Sequence, residues 1–230
     1  VEGARKNLQS EIPDWDFDRV HDEACAIWNS ELGKIEINGG TDEQKQIFYT
    51  ALYHSFLAQY ISNDVDGKYM GMDGNVHVAE DFDNYPTFLA WDTFRSEQPL
   101  MTLVASEHVN DVIKSIEQKV RHYGWLPAQH VKNNFGQGMV GDHLVPMIVD
   151  AYQKGFTGFD AEFLYQTMKT KATQHPPDSI GRGAGREGLE YYQNLGYNPA
   201  DRVRESVSNT LEAAYDDACI ATMAKALGKD

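Results

Sequence analysis

The residues best equipped for chemistry stand together at Trp91-Asp92-Thr93-Phe94-Arg95. An indole, a carboxylate, a hydroxyl and a guanidinium fall within five positions. An aromatic face covers the apolar C–H side of a sugar ring, while charged groups beside it bind the hydroxyls. Trp91, Asp92 and Arg95 are therefore candidate carbohydrate contacts. The same pattern also describes a core tryptophan beside a helix cap. Asp81-Phe82-Asp83-Asn84-Tyr85-Pro86 upstream and Pro99 downstream predict a loop entering a helix.

The elements that would position these residues are mostly helices. Apolar residues recur at helical spacing in Asp18–Leu32, in Thr41–Tyr60, in Glu107–His122, in Met139–Tyr152, after Asp160, in Leu189–Leu195 and from Ser206 or Ser208 onward. Thr41-Asp42-Glu43-Gln44 reads as a capping box. Pro146 should bend its helix or lie near its start. Lys34–Ile37 alternates as a short strand would, and Ser62–Asn75 predicts a β-hairpin, with the Asp64–Gly67 run a weaker match to a calcium loop. The glycines and prolines of His175–Gly188 predict a loop that is mobile or shaped around a ligand. Residues 1–16 read as a connector and 17–230 as one helical unit. The expected fold class is all-α, part of an (α/α)6 toroid with short β-hairpin insertions. A helical bundle or an α-solenoid is the rival architecture.

The 230 residues suffice for a sizeable core as one domain or part of a larger one, and a net charge of −15 argues against nucleic acid or an anionic membrane surface as partner. No apolar run is long enough to span a bilayer. No signal-peptide pattern opens the chain, but Val1 is not an initiator Met. Cys25 and Cys219 sit on expected helices among apolar residues, the setting of buried, inert thiols. There is no zinc-type Cys/His spacing and no phosphate-binding glycine loop.

Several stretches, in order, resemble glycoside hydrolase family 92, the calcium-dependent, inverting exo-α-mannosidases. They are Phe48–His54, Asp66–Tyr69, Trp91–Arg95 with Pro99-Leu100, and Gly124–Pro127. They continue through Met139–His143, Asp150–Tyr152, Lys154-Gly155, Gly196-Tyr197, Glu205–Ser208, Thr210–Glu212 and Tyr215–Asp217. The resemblance implies the first part of an (α/α)6 barrel, preceded elsewhere by a β-sandwich and followed by a segment with the general-base aspartates. Those parts of its own polypeptide would be its partners. It implies that Trp91 and Asp92 contact the sugar, that Arg204 and Glu205 lie near the leaving-group sugar, and that Ser208 falls near the Ca2+ position. It also implies a secreted or periplasmic protein acting on mannose-containing glycans, N-glycans among them.

One departure matters. The family usually carries its general-acid Glu shortly before Met139, yet no Asp or Glu occurs between Pro127 and Met139. Phe135 aligns there and Gln137 is the nearest polar candidate; neither donates a proton as a carboxylic acid does. Three expectations follow. The substrate is a mannosyl phosphodiester, whose leaving group needs no proton, with Lys132, Arg182, Arg186, Arg202 and Arg204 as candidate phosphate partners. Or an acid from another loop substitutes. Or the protein is a non-catalytic carbohydrate-binding or helical scaffold protein. His54, His130 and His143 are candidate pocket residues, and Asp216-Asp217 could organise calcium or simply favour a helix N-terminus.

Overall fold

A computed structural model describes residues 1–229 except 87, 132–133, 137–138 and 182–183, with the backbone alone for 129–131 and 134–136. Among the described residues the chain is helical, with two small hairpins. The helices are α1 (Glu2–Glu11), α2 (Phe17–Leu32), α3 (Asp42–Phe56), α4 (Ala90–Thr93), α5 (Glu97–Val104), α6 (Ser106–Tyr123), α7 (Leu144–Gln153), α8 (Ala161–Thr173), α9 (Leu189–Leu195) and α10 (Ser206–Ala226). Antiparallel pairs β1 (Lys68–Met70) with β2 (Val76–Val78), and β3 (Gln129–Val131) with β4 (Asn134–Gly136), form the two sheets.

Helix α7 is the middle of the core. Its residues Leu144 to Val149 and Ala151 are all buried, so it is apolar almost all round, as an enclosed helix must be. It packs against α5, α6, α8 and α10. Ile116, Ile148, Leu164 and Met168 are fully buried between these helices. Truncating one of them to Ala costs about 2–5 kcal/mol. Pro146 sits in the first turn of α7, where a missing N–H goes unnoticed. Gly124 closes α6 in the left-handed conformation at φ 79°, which a side chain would resist.

The Thr41 capping box is formed: Thr41 Oγ1 accepts from Gln44 N at 3.2 Å, and Gln44 Oε1 accepts from Thr41 N at 2.9 Å. Asp160 caps α8 through Phe163 N at 2.9 Å. The Ser62–Asn75 hairpin is present, with strands at 68–70 and 76–78.

Other expectations fail for physical reasons. Lys34–Ile37 forms no strand; no neighbouring strand pairs with it, and the Ile35 carbonyl accepts from Tyr49 Oη at 2.9 Å. The stretch read as a connector carries α1, fastened by Lys6 to Asp66 at 3.0 Å and by Asn7 to Asp64 at 2.7 Å. Helix α7 starts at Leu144, five residues after Met139. Neither Ser206 nor Ser208 caps α10 by its side chain; the cap position is Glu205, in left-handed backbone. Cys25 is exposed and Cys219 half-buried.

Candidate functional site

A cavity of about 320 Å³ opens between the Met139–Asp142 loop, the Ala184–Leu189 loop and the first three turns of α10. Its wall is organised around one carboxylate. Asp142 is buried, with Lys171 Nζ at 2.8 Å from one oxygen and Arg186 Nε at 2.8 Å from the other. Lys171 comes from α8 and also donates to the Leu126 carbonyl at 2.9 Å. Arg186 Nη1 donates to Asp217 at 2.6 Å, and its buried Nη2 has no partner among the described residues. The Asp142 N–H donates to Asp216 Oδ2 at 2.8 Å. Trp125 Nε1 donates to the Ala184 carbonyl at 3.0 Å. The segment after α6, the last turn of α8, the middle of α10 and two loops thus converge on one point.

The electrostatics separate the two aspartates. Burial pushes the Asp142 carboxyl up, but the Lys171 and Arg186 cations beside it overturn that and hold it below its ordinary value. Burial pulls the Arg186 guanidinium down, and Asp142 and Asp217 more than restore it. Asp216 has no such cation of its own. Burial, with the Asp142 charge next, pushes it up to about 8, against the Asp142 N–H and the more distant Arg186. Asp216 is therefore a neutral acid at pH 7, and its Oδ1 has no hydrogen-bond partner.

Behind this wall lies His143. Its ring stacks on Phe94 at 4.0 Å and 7°. Its nitrogens lie 3.7 Å from Glu212 and 4.0 Å from Asp216, without a hydrogen bond. Burial pulls its pKa down, partly opposed by Glu212. The backbone before it can turn only at Gly141, φ 90°, where a Cβ would meet the His143 ring at 2.7 Å.

Of the residues marked from sequence, Glu205 lines the cavity. It is a non-glycine residue at φ 50°, ψ 37°, which costs about 1–2 kcal/mol. Asn209, one turn on, fastens that cap by donating to the Arg204 carbonyl at 3.0 Å. Arg204 and Ser208 are exposed at its edge and do not line it. Trp91, Asp92 and Arg95 also lie outside the lining. Trp91 is 39% exposed on α4, and Asp92 is exposed. Arg95 reaches Glu212 at 3.2 Å and covers the Phe94 ring at 4.6 Å, so this stretch is joined to the cavity wall through Glu212 and His143. Gln137, Lys132 and Arg182 lie outside the described residues, as does the side chain of His130. His54 is exposed, and Arg202 pairs with Asp201 on the surface.

Sequence reasoning missed Lys171. Its signal was there: a lysine three residues after Met168 and seven after Leu164 falls on a buried helix face.

The mostly helical chain, with its helices packed around α7 and a polar cavity beside α10, has the make-up of a piece of an α/α toroid. Comparison with known proteins identifies the family: the chain matches the glycosyl hydrolase family 92 catalytic domain over residues 3–230 and belongs to that family. A family 92 α-mannosidase from Bacteroides thetaiotaomicron is 37% identical, with a TM-score of 0.89 over 100% of this chain and 30% of that one. An inverting mannosidase of the family from the same organism is 36% identical, with a TM-score of 0.90 over 99% of this chain and 31% of that one. An uncharacterized secreted glycosidase of Arthroderma benhamiae is 27% identical over 99% of this chain and 26% of its own length. The chain thus spans less than a third of each of these relatives.

Proposed function

We propose that the protein containing this chain is an inverting exo-α-mannosidase that cleaves mannosyl phosphodiesters. The observation that carries this reading is the absence of any Asp or Glu between Pro127 and Met139, beside a cavity that holds the buried Arg186 with an unused Nη2. Inverting hydrolysis needs a base for water, and an acid only where the leaving oxygen is a poor leaving group. Water attacks the anomeric carbon, the C1–O bond breaks, and the bonding pair leaves on a phosphate oxygen that needs no proton. The base would come from another part of the polypeptide. A guanidinium with a free N–H is suited to the phosphate. Trp91, Asp92 and Arg95 would hold the sugar, with Arg204 and Glu205 toward the leaving group and Gln137 at the position of the usual acid.

Ser208, which the family resemblance places near calcium, is exposed beside the cavity on the first turn of α10; its hydroxyl would supply one of the about six to eight oxygen ligands that calcium takes. Calcium when bound would grip adjacent sugar hydroxyls. The resemblance to a secreted glycosidase supports export from the cytosol, and among the described residues no helix is long and apolar enough to cross a membrane. Mannose-bearing glycans, N-glycans among them, are the source of substrate.

A second reading has its own observation. Asp216 is a protonated carboxyl on the cavity wall and could donate the missing proton to an ordinary alkoxide leaving group. One comparison separates the two: kcat/KM of the full-length protein, with calcium and with chelator, on a mannosyl phosphodiester and on an alkyl α-mannoside. A general acid contributes about 10²–10⁴-fold, so the first reading expects a preference of at least about 10² for the phosphodiester. Equal turnover of both substrates sinks it. If alkyl mannosides turn over well, and that activity falls as pH rises through about 8 and is lost in Asp216→Asn, the second reading holds. No hydrolysis of either substrate leaves the carbohydrate-binding alternative.

A further inference from the structure

Away from the cavity, the β1–β2 hairpin meets the last turn of α6. Three side chains meet there whose chemistry none of the preceding roles uses. The turn of the hairpin fixes Asp73: one carboxylate oxygen accepts from Asn75 N at 3.0 Å and the other from Asn75 Nδ2 at 2.9 Å. His77 on β2 points its Nε2 at the same carboxylate, 3.0 and 3.1 Å from its two oxygens. Helix α6 adds His122, whose ring stacks on that of His77 at 3.7 Å and 17°. One ligand atom from each of the three lies within 4.8 Å of the other two.

The surroundings hold this arrangement in place. Tyr69, buried and opposite His77 in the strand register, lies 6.0 Å from both imidazoles, and Phe82 meets it edge-on at 6.1 Å. The backbone at Gly71 passes so close that a Cβ there would stand 2.6 Å from both Asp73 and His77. Most telling is His122 Nδ1, which is buried and has no hydrogen-bond partner.

We propose that Asp73, His77 and His122 form a site for a zinc-like divalent transition-metal ion that pins the β1–β2 hairpin to the end of α6. Two imidazole nitrogens and one carboxylate are the donor set of Zn2+ and its first-row neighbours. They are a poor set for calcium, which takes oxygen. Tetrahedral bonds of about 2.0–2.1 Å place donors about 3.4 Å apart, so donors now within 4.8 Å draw together by up to about 1.4 Å as the two rings tilt out of their stack to aim their nitrogens at one ion. The fourth position is left for water. The ion would take up the unpaired nitrogen of His122 and replace a bare ring-on-ring stack by two coordinate bonds. The site shares no residue with the cavity, but it is linked to it. Trp125, three residues past His122, holds the Ala184 carbonyl on the cavity wall.

The test uses the full-length protein, stripped with chelator and resupplied with calcium so that oxygen-rich sites stay filled. Zn2+ is then titrated calorimetrically, and Co2+ is added to a second sample for its visible absorption. One equivalent of Zn2+ should bind, Co2+ should give the intense bands of a near-tetrahedral ion, and melting temperature should rise with Zn2+. Asp73→Asn, at an exposed turn where folding is not at stake, and His122→Gln should each weaken Zn2+ binding about 10–100-fold or more and abolish the melting shift. If Zn2+ does not bind, or if it binds equally well to both variants, the proposal is overturned. The result is independent of which mannoside the protein hydrolyses.

Discussion

Replacing Asp216 by Asn should make the protein more stable at neutral pH, although it alters a fully buried residue of the cavity wall. Asp216 is 0% exposed and accepts only the Asp142 N–H. Its carboxyl is pushed up to about 8, from an unfolded value near 4. Between those two values the folded chain holds a proton that the unfolded chain releases. Stability is therefore greatest below the unfolded value and falls as pH rises, until the folded carboxyl itself ionises near 8. The slope is at most about 1.4 kcal/mol per pH unit for one proton, so by pH 7 the accumulated penalty is about 2–4 kcal/mol. An asparagine has no proton to lose. Its amide oxygen can still accept the Asp142 N–H, and its NH2 group lies near the unpaired Nδ1 of His143. Urea unfolding at intervals from pH 4.5 to 8.5 should show the two proteins alike at the acid end and diverging upward, with unchanged m-values. Parallel curves across that range would falsify the neutral state of Asp216. So would an Asp216→Asn variant that is less stable at every pH.

Three further perturbations probe the same wall. Lys171→Met removes one of the two cations on Asp142, leaving Arg186, and strands the Leu126 carbonyl; it should cost about 2–4 kcal/mol by thermal or urea unfolding, with part regained in the double variant Lys171→Met/Asp142→Asn, and a loss under 1 kcal/mol would show the pair is not dry. Glu205→Gly relieves left-handed backbone and should stabilise by up to about 1 kcal/mol while hydrolysis falls; a gain in both would remove Glu205 from the site. Gly141→Ala places a methyl against His143 at φ 90° and should cost about 1–3 kcal/mol, visible as an earlier melt and lower activity; a silent substitution there would mean the loop moves freely.

The local devices of this fold were legible in the sequence. The capping box at Thr41 and the α9 limits depend on residues within a few positions, and each formed as read. The stripe of α10 was not. Leu211, Ala214, Ala218, Met223 and Leu227 look like its core face; Met223 is buried and Leu227 packs against the core, yet Leu211 is 64% exposed, Ala214 and Ala218 are exposed too, and the other buried positions are Ser206, Ala213, Asp216 and Ile220. A buried acid breaks the apolar rhythm of the true face and makes the other face look better. Lys119 and Lys171 hide in the same way. Lys119 spends its charge on the Tyr85 carbonyl at 2.6 Å, and burial brings it down to about 7. Strand Lys34–Ile37 failed because alternation is necessary for a strand but a pairing edge is decided elsewhere. The family motifs, by contrast, are local in sequence, and they marked Gly141–His143 and Glu205 before any contact was visible.

How those motifs become a site depends on contacts no local pattern contains. The bonds that close the cavity wall join residues 44, 45, 59 and 74 positions apart. They also decide between the two readings of the glycine-rich segment before α9. Glycines at 181, 185 and 188 suit a mobile loop as well as a ligand-shaped one. In the fold, Ala184 is held by Trp125 and Arg186 is held by two carboxylates. Gly188, at φ 71°, lies so close to Asn198 that a Cβ would be 2.3 Å from its Oδ1. Gly188 therefore serves close approach. The charges of Lys171 and Arg186 are matched by Asp142 and Asp217, so Asp216 has no local cation left to ionise against.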